Sequence, residues 1–300
     1  MSILVILGPT AVGKTTAAEI IAQNTGGEII SADSRQIYKK LSIGTAKPTD
    51  AHIKYHLIDI IEPSERYDAA RFVSDALSAI DNILSRKKIP IIVGGTGLYI
   101  RALTVGLFPG EFRDDEIRKQ LKYRHDSGED LYKFLCDIDP KAAEKIAPQN
   151  YVRIERALEV FLISGKPISY WWETETKPPN ELQFLKIGLS IERKELYHRI
   201  EQRAQKMFEN GWVDEVQKLL DSGIAKDVPA FNSIGYGAVL RFLDGEISQE
   251  EMLEQIIRDT KRYAKRQITW FKKEPNVHWL DVTKFSAQET AEKILSIWKA

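Results

Sequence analysis

Gly8-Pro9-Thr10-Ala11-Val12-Gly13-Lys14-Thr15 follows the apolar run Ile3–Leu7 and opens a helix-like stretch from Thr16 to Gln23. Strand, glycine loop, Lys-Thr and helix in that order make a P-loop. Its chemistry is anion capture. Gly8 and Gly13 allow backbone N–H groups to converge on a phosphate. The helix N-terminus adds partial positive charge and Lys14 a full one, while the Thr15 hydroxyl can ligate Mg²⁺. A di- or triphosphate is expected here, and the motif alone leaves open which.

Asp33 follows a second apolar segment, Glu28–Ala32. A carboxylate at a strand end beside a phosphate cradle can reach Mg²⁺ through water or act as a general base. It can equally cap the helix that follows. A P-loop kinase also needs an acid closing a further strand. The segment Ile89–Val93 ends instead in Gly94-Gly95-Thr96, which argues against ATP-driven phosphoryl transfer.

Two more groups carry charge in a pattern. Arg199 and Arg203 lie four apart on one helix face, where either could close over a diphosphate. From the residues alone, a solvated pair bridged to Glu195 or Glu201 is the preferred reading. From Arg258 to Lys273, Arg258, Lys261, Arg262, Lys265 and Arg266 recur at helical spacing, interleaved with Tyr263, Trp270 and Phe271. Such a face suits phosphate-backbone contact with stacking on unpaired bases, or is a solvated amphipathic helix. His52, His56, His125, His198 and His278 lack metal-ligand spacing. Trp171-Trp172 has no functional account at this level.

The elements that must hold these residues alternate. Ile3–Leu7, Glu28–Ala32, His56–Ile61 and Ile89–Val93 read as strands, with a helix over 68–86 between the last two. Such βα series build parallel sheets, whose ligands sit at the carboxyl ends of the strands. Thr10, Asp33 and Thr96 should therefore share one crevice. Residues 113–182 carry only helical patterns, at 115–126, 129–137 and 150–164, with Lys177-Pro178-Pro179-Asn180 as a connector. Phe184–Ile191 reads as a return strand, followed by helices over 195–210, 213–221 and 249–271. The expected fold is α/β: a P-loop NTPase-like parallel sheet with flanking helices over 1–112 and 183–300, and a small all-helical insertion over 113–182.

Composition limits the rest. Lysine plus arginine and aspartate plus glutamate balance at 43 each, so any basic face is a local concentration. The single cysteine, Cys136, excludes a disulfide framework and a cysteine-based zinc site. No apolar run approaches a membrane span. A cytoplasmic enzyme, a monomer without a membrane partner, is the expectation.

Several segments then occur together and in order: the P-loop; Ser31-Ala32-Asp33-Ser34-Arg35-Gln36-Ile37-Tyr38; Ile43-Gly44-Thr45-Ala46-Lys47-Pro48; Val93-Gly94-Gly95-Thr96-Gly97-Leu98-Tyr99; Arg156-Ala157-Leu158-Glu159-Val160; Ile234-Gly235-Tyr236; and Lys265-Arg266-Gln267-Ile268-Thr269-Trp270-Phe271. In combination they closely resemble the bacterial tRNA dimethylallyltransferases, or tRNA isopentenyltransferases. The resemblance implies transfer of a dimethylallyl group from dimethylallyl diphosphate to N6 of adenosine 37 of tRNA, giving i6A and diphosphate. The P-loop would then grip a leaving group rather than ATP, with Mg²⁺ as cofactor at Thr15.

It further implies that Asp33 is the general base, that Thr10 bonds the bridging oxygen, and that Arg203 contacts diphosphate, reversing the preference stated above. The anticodon stem-loop would meet Asp33, Ser34, Arg35, Gln36, Thr96, Arg118, Val152, Arg153, Ile154, Glu155, Arg156, Asn232, Ser233, Ile234, Gly235, Tyr236, Gly237, Lys265, Arg266, Gln267, Thr269, Trp270 and Lys272. Asn232-Ser233 stands where the family commonly has Gln-Ala, and Lys272 where Arg is frequent. A small-molecule P-loop kinase, a free-adenylate isopentenyltransferase and a non-catalytic RNA-binding switch are the alternatives. The kinase leaves the basic helix unexplained, and the insertion favours a macromolecular acceptor over free adenylate.

Overall fold

The computed structural model describes residues 2–48, 52–107, 112–174, 178 and 181–299. Of the expected connector, Lys177, Pro179 and Asn180 lie outside them. The chain divides into two compact units, Met1–Thr104 with Pro179–Ala300, and Val105–Pro178.

In the first unit, β1 (Ile3–Leu7) leads through the P-loop into α1 (Lys14–Thr25), then β2 (Glu28–Ala32), β3 (Tyr55–His56), α2 (Ala69–Ser85), β4 (Pro90–Gly94) and α3 (Gly97–Thr104). The second unit holds α4 (Asp115–Asp126), α5 (Leu131–Ile138), α6 (Pro140–Ala143), α7 (Tyr151–Ser164) and α8 (Ile168–Glu173). The chain returns with β5 (Phe184–Ser190), α9 (Arg193–Glu209), α10 (Trp212–Asp221), a 3-10 turn at Pro229–Asn232, α11 (Tyr236–Leu243), α12 (Gln249–Phe271), β6 (Val277–Asp281) and α13 (Ala287–Lys299).

The sheet is six-stranded, all parallel, in the order β3-β2-β4-β1-β5-β6. β1, β2 and β4 are buried throughout, as central parallel strands covered on both faces must be. One face packs Val5, Leu7, Ile30 and Ile92 on α2 and α3 through Phe72, Ile80 and Leu103. The other packs Leu4, Ile6, Ile29 and Ile91 on α1 and α13 through Ile21, Ile294 and Trp298. Each fully buried Leu or Ile side chain contributes roughly 2 kcal/mol.

The expected strand over His56–Ile61 is cut to Tyr55–His56, because Leu57 and Asp59 take left-handed backbone conformations (φ 62° and 56°) that end the ladder. β6 and α13 were not expected from the sequence. β6 is a half-exposed edge strand whose pairing comes wholly from β5. The helical unit spans Val105–Pro178 rather than 113–182, so both of its bounds lie earlier in the chain. Leu182 packs on the sheet core, whereas Phe112 packs on the helical core built from Leu121, Leu135, Ile154 and Leu158.

Register explains how the site forms. Leu7 pairs with both Gly94 and Gly188, and Ala32 pairs with Gly94. The segments leaving β1, β2 and β4 therefore emerge at one level. A Cβ on Gly94 would run into the backbone carbonyl of Ala32, so only glycine lets the two turns close together. They are then tied: Thr96 N–H donates to Ala32 O at 3.2 Å, and Ser34 N–H to Thr96 Oγ1 at 2.9 Å.

Candidate active site

The three turns open into a cavity of about 810 Å³, lined by Thr10, Lys14, Thr15, Asp33, Gly95 and Arg203 among others. The expected meeting of Thr10 and Asp33 at the strand ends is thus observed, with Thr96 one hydrogen bond behind.

The P-loop is built as its residues predict. Gly13 takes φ 102° at the start of α1, which has neither a side-chain cap nor an acid in its first turn. The helix N-terminus is left electropositive, as an anion site requires. Lys14 Nζ donates to Pro9 O at 2.7 Å. Burial brings its pKa down to about 7, with Asp33 pulling upward and Arg203 downward. Arg203 reaches in from α9, its Nη2 donating to Thr10 Oγ1 at 2.7 Å. Burial lowers its pKa from the ordinary value, opposed by Asp33. Lys14, Arg203 and Asp33 thus lie within electrostatic reach of one another. Arg199, by contrast, pairs with Glu195 at 2.8 Å, as the residues alone suggested.

Asp33 caps a turn rather than the helix expected after it. Its Oδ1 accepts from Arg35 N–H at 2.8 Å and Gln36 N–H at 3.4 Å, fixing the turn. No hydrogen bond from a described residue reaches Oδ2, which remains available to a ligand.

Several expected RNA contacts have other partners. Gln36 Nε2 donates to Thr45 O and Ala46 O at 3.3 and 3.1 Å, and its Oε1 accepts from Ser31 Oγ at 2.9 Å. Gln36 therefore braces the Gly44–Ala46 wall. Gln267 is buried, accepting from Thr10 N–H and donating to Gly95 O. Ile154, Ser233 and Tyr236 are buried. Tyr236 sits in a core with Trp212, and its hydroxyl donates to Glu215. Arg118 and Arg156 are held by the buried Glu159, with Arg118 Nε at 2.7 Å and Nη2 at 2.9 Å, and Arg156 Nη1 at 2.7 Å. These arginines are pillars of the helical unit in this structure.

The rest face outward or line the cavity. Val152, Arg153, Asn232 and Gly237 are exposed, Glu155 is half-buried, and Asn232, Ser233 and Ile234 line the cavity with Ser34 and Arg35. On α12, Lys265, Arg266, Thr269, Trp270 and the adjoining Lys272 are exposed, and no salt bridge among the described residues holds their cations. The basic face is narrower than its sequence suggested, since Lys261 pairs with Glu201 and Arg262 with Asp259.

Two residues were missed. Tyr263, noted only as an interleaved aromatic, lines the cavity. Burial pushes its phenol up to about 12, the Asp33 charge adding to this and Arg35 opposing. Glu215 accepts from the backbone N–H groups of Ser42 and Ile43 at 2.7 Å each, and from Tyr236 OH at 2.8 Å. Nothing local on α10 announces that role. Trp171-Trp172 gains a structural account: Trp171 packs on Phe112 and bonds Ser164, and Lys145 lies over Trp172.

The chain is similar to known proteins over nearly its whole length. The tRNA dimethylallyltransferase of Acetivibrio thermocellus is 46% identical, covering 100% of this chain and 97% of that protein. That of Thermotoga maritima is 44% identical, covering 98% and 97%. The crystal structure of a tRNA isopentenylpyrophosphate transferase from Bacillus halodurans matches at TM-score 0.73 and 38% identity, over 99% of this chain and 95% of that one. A eukaryotic dimethylallyltransferase captured acting on tRNA matches at TM-score 0.81 and 28% identity, over 99% and 77%. The isopentenyl transferase profile matches residues 1–57 and the IPP transferase profile residues 36–274, and the chain belongs to the IPP transferase family.

Proposed function

We propose that this chain transfers the dimethylallyl group of dimethylallyl diphosphate to N6 of adenosine 37 in tRNA, releasing diphosphate and leaving i6A. The observation that carries the reading is the single cavity in which the P-loop, Arg203 and Asp33 meet Tyr263 and Arg266 of the basic helix.

An exocyclic adenine amine is a weak nucleophile, so the electrophile must ionise readily. Cleavage of the allylic C–O bond spreads positive charge over the allyl group and builds negative charge on diphosphate. Lys14, Arg203 and the loop N–H groups stabilise that negative charge as it forms. Thr10 accepts from Arg203 through its hydroxyl oxygen, keeping its own proton to donate to the bridging oxygen. Asp33 holds the amine through Oδ2 and takes its proton as the N–C bond forms, when that proton has become acidic. The target base must leave its stack to reach this depth.

Mg²⁺ fits as a companion of the diphosphate rather than of a protein cage. Thr15 lines the cavity, and the described residues hold no group of three or more His, Cys, Asp or Glu able to bind a metal. Magnesium commonly binds through substrate phosphates with few protein ligands. When bound, it would add charge neutralisation on the diphosphate oxygens.

The test is incubation with dimethylallyl diphosphate, Mg²⁺ and unmodified tRNA, followed by mass spectrometry of the digested nucleosides. Appearance of i6A, lost in Asp33→Ala with tRNA binding kept, is the expected result. Absence of i6A alongside ATP-dependent phosphorylation of a small metabolite would overturn the reading. No described residue of this chain holds a membrane-length apolar helix, and the reading calls for no membrane partner.

A further inference from the structure

Gln267 sits on α12 among exposed residues, Lys265, Arg266 and Trp270, yet is itself only 6% exposed. Its amide is divided between two loops. Thr10 N–H donates to Oε1 at 2.8 Å, and Nε2 donates to Gly95 O at 2.8 Å. One side chain thus joins three segments far apart in sequence: the P-loop, the turn after β4 and the basic helix.

Packing leaves this amide little alternative. A Cβ on Gly95 would strike Gln267 Nε2, and one on Gly97 would strike the Trp270 ring. The helix is seated directly on the turn. The chemistry is also selective. The position needs one acceptor and one donor on a neutral group, and an amide supplies both. A carboxylate there would face the Gly95 carbonyl with no proton to offer. By taking the Thr10 N–H, Gln267 fixes the Thr10 peptide plane, and with it the hydroxyl that Arg203 meets at 2.7 Å.

We propose that Gln267 is a positioning residue of the diphosphate site rather than an RNA contact. It acts through Thr10 and Gly95, holding the P-loop and the Gly94–Thr96 turn as one rigid wall. The inference rests on the diphosphate reading of the P-loop. It departs from the expectation that Gln267 serves RNA together with Lys265, Arg266, Thr269, Trp270 and Lys272: those exposed neighbours would meet RNA, while the Gln267 amide is turned toward Thr10 and Gly95.

The experiment compares wild type with Gln267→Met, which keeps length and volume but removes both hydrogen bonds. Affinity for inorganic diphosphate is measured by calorimetry, affinity for tRNA by filter binding, and KM separately for each substrate. The expected result is a diphosphate affinity lower by roughly tenfold, the scale of one to two lost buried hydrogen bonds. KM for dimethylallyl diphosphate should rise, with tRNA affinity and tRNA KM within about twofold, inside the spread of ordinary surface effects. Gly95→Ala, which displaces the amide from the opposite side, should reproduce the pattern and guards against poor folding of the first variant. Unchanged diphosphate affinity, or a tRNA loss as large as the diphosphate loss, overturns the proposal. Wild-type protein that binds diphosphate but forms no i6A would refute the transferase reading, while the diphosphate comparison would still decide the role of Gln267.

Discussion

Arg203 Nη2 lies 2.7 Å from Thr10 Oγ1, joining α9 to the P-loop across 193 residues of sequence. The direction matters. The guanidinium can only donate, so the Thr10 oxygen is the acceptor and its own proton points elsewhere. Thr10→Val keeps the shape of the side chain and removes this relay. It should lower kcat by roughly 10²-fold, the scale of losing one oxyanion-type donor, while Thr10→Ser retains most activity. Equal turnover of the valine and threonine forms in single-turnover kinetics would exclude the relay.

Lys14 predicts a pH dependence of binding. Its pKa, near 7 in the free protein, must rise when a diphosphate anion arrives, so above pH 7 binding takes up a proton. Affinity should fall as pH rises beyond 7, by up to about tenfold per unit, and lose this dependence below 7 where Lys14 is already charged. The stability sign is the opposite. The unfolded lysine keeps its proton to about 10.5, so the unfolded state binds more protons between 7 and 10.5 and stability from this group rises with pH there. Calorimetry at pH 8.5 in two buffers of different ionisation enthalpy, with Lys14→Met subtracting the ligand's own titration, reads the uptake. Zero excess uptake would contradict the depressed pKa.

What the sequence revealed and what it hid divide along sequence separation. The central strands announce themselves as apolar runs, and α12 by its periodicity and the Ser248–Glu251 capping box at its start. β6 carries no such mark, since its ladder is supplied by β5 and its side chains are largely exposed. The P-loop is a local motif and was legible. The commitments of Gln267 to Thr10 and of Glu215 to Ser42 span 257 and 173 residues, and no spacing rule reaches that far. Family resemblance moved Arg203 from a surface pair to the diphosphate site, and the structure bonds it to Thr10 of the P-loop. The resemblance also assigned Tyr236 and Gln267 to RNA, where burial gives their side chains other work.

Glu215 is a hub between distant segments. It receives Ser42, Ile43 and Gly44 N–H and Tyr236 OH, and so ties two segments that line the cavity or adjoin it. Glu215→Ala strands these donors and should destabilise the fold by about 3 kcal/mol. Paired with Tyr236→Phe in a double-mutant cycle, it should show a coupling of roughly 1 kcal/mol. Urea unfolding measures both, and additive effects would mean the hydroxyl and carboxylate act independently.

Glu159 plays the equivalent part in the helical unit. Burial alone would raise its pKa, but the hydrogen bonds from Arg118 and Arg156 prevail and hold it below the usual carboxylate range. Removing Glu159 strands two partly exposed guanidinium groups and the Asp114 N–H, so Glu159→Ala should cost about 2–3 kcal/mol, the scale of lost hydrogen bonds to a charged group. Arg118→Ala and Arg156→Ala should then lower thermal stability as well as any RNA affinity. RNA affinity lost at unchanged melting temperature would restore both as simple contacts.

The basic helix offers the sharpest contrast between two kinds of lysine. Lys265 and Arg266 are exposed with no acidic partner among the described residues, whereas Lys261 is bonded to Glu201 and lies over the Tyr197 ring. Counterions released on RNA binding come from cations that meet phosphates, so only unpaired ones steepen the salt dependence. Alanine at Lys265 and Arg266 together should weaken tRNA binding and reduce the slope of log affinity against log salt by about 2, one per lost phosphate contact. Alanine at Lys261 should leave the slope nearly unchanged and act mainly through the lost ion pair. Filter binding across several salt concentrations separates the two, and a slope loss at Lys261 equal to that at Lys265 would mean that the Glu201 pair opens to let its lysine reach RNA.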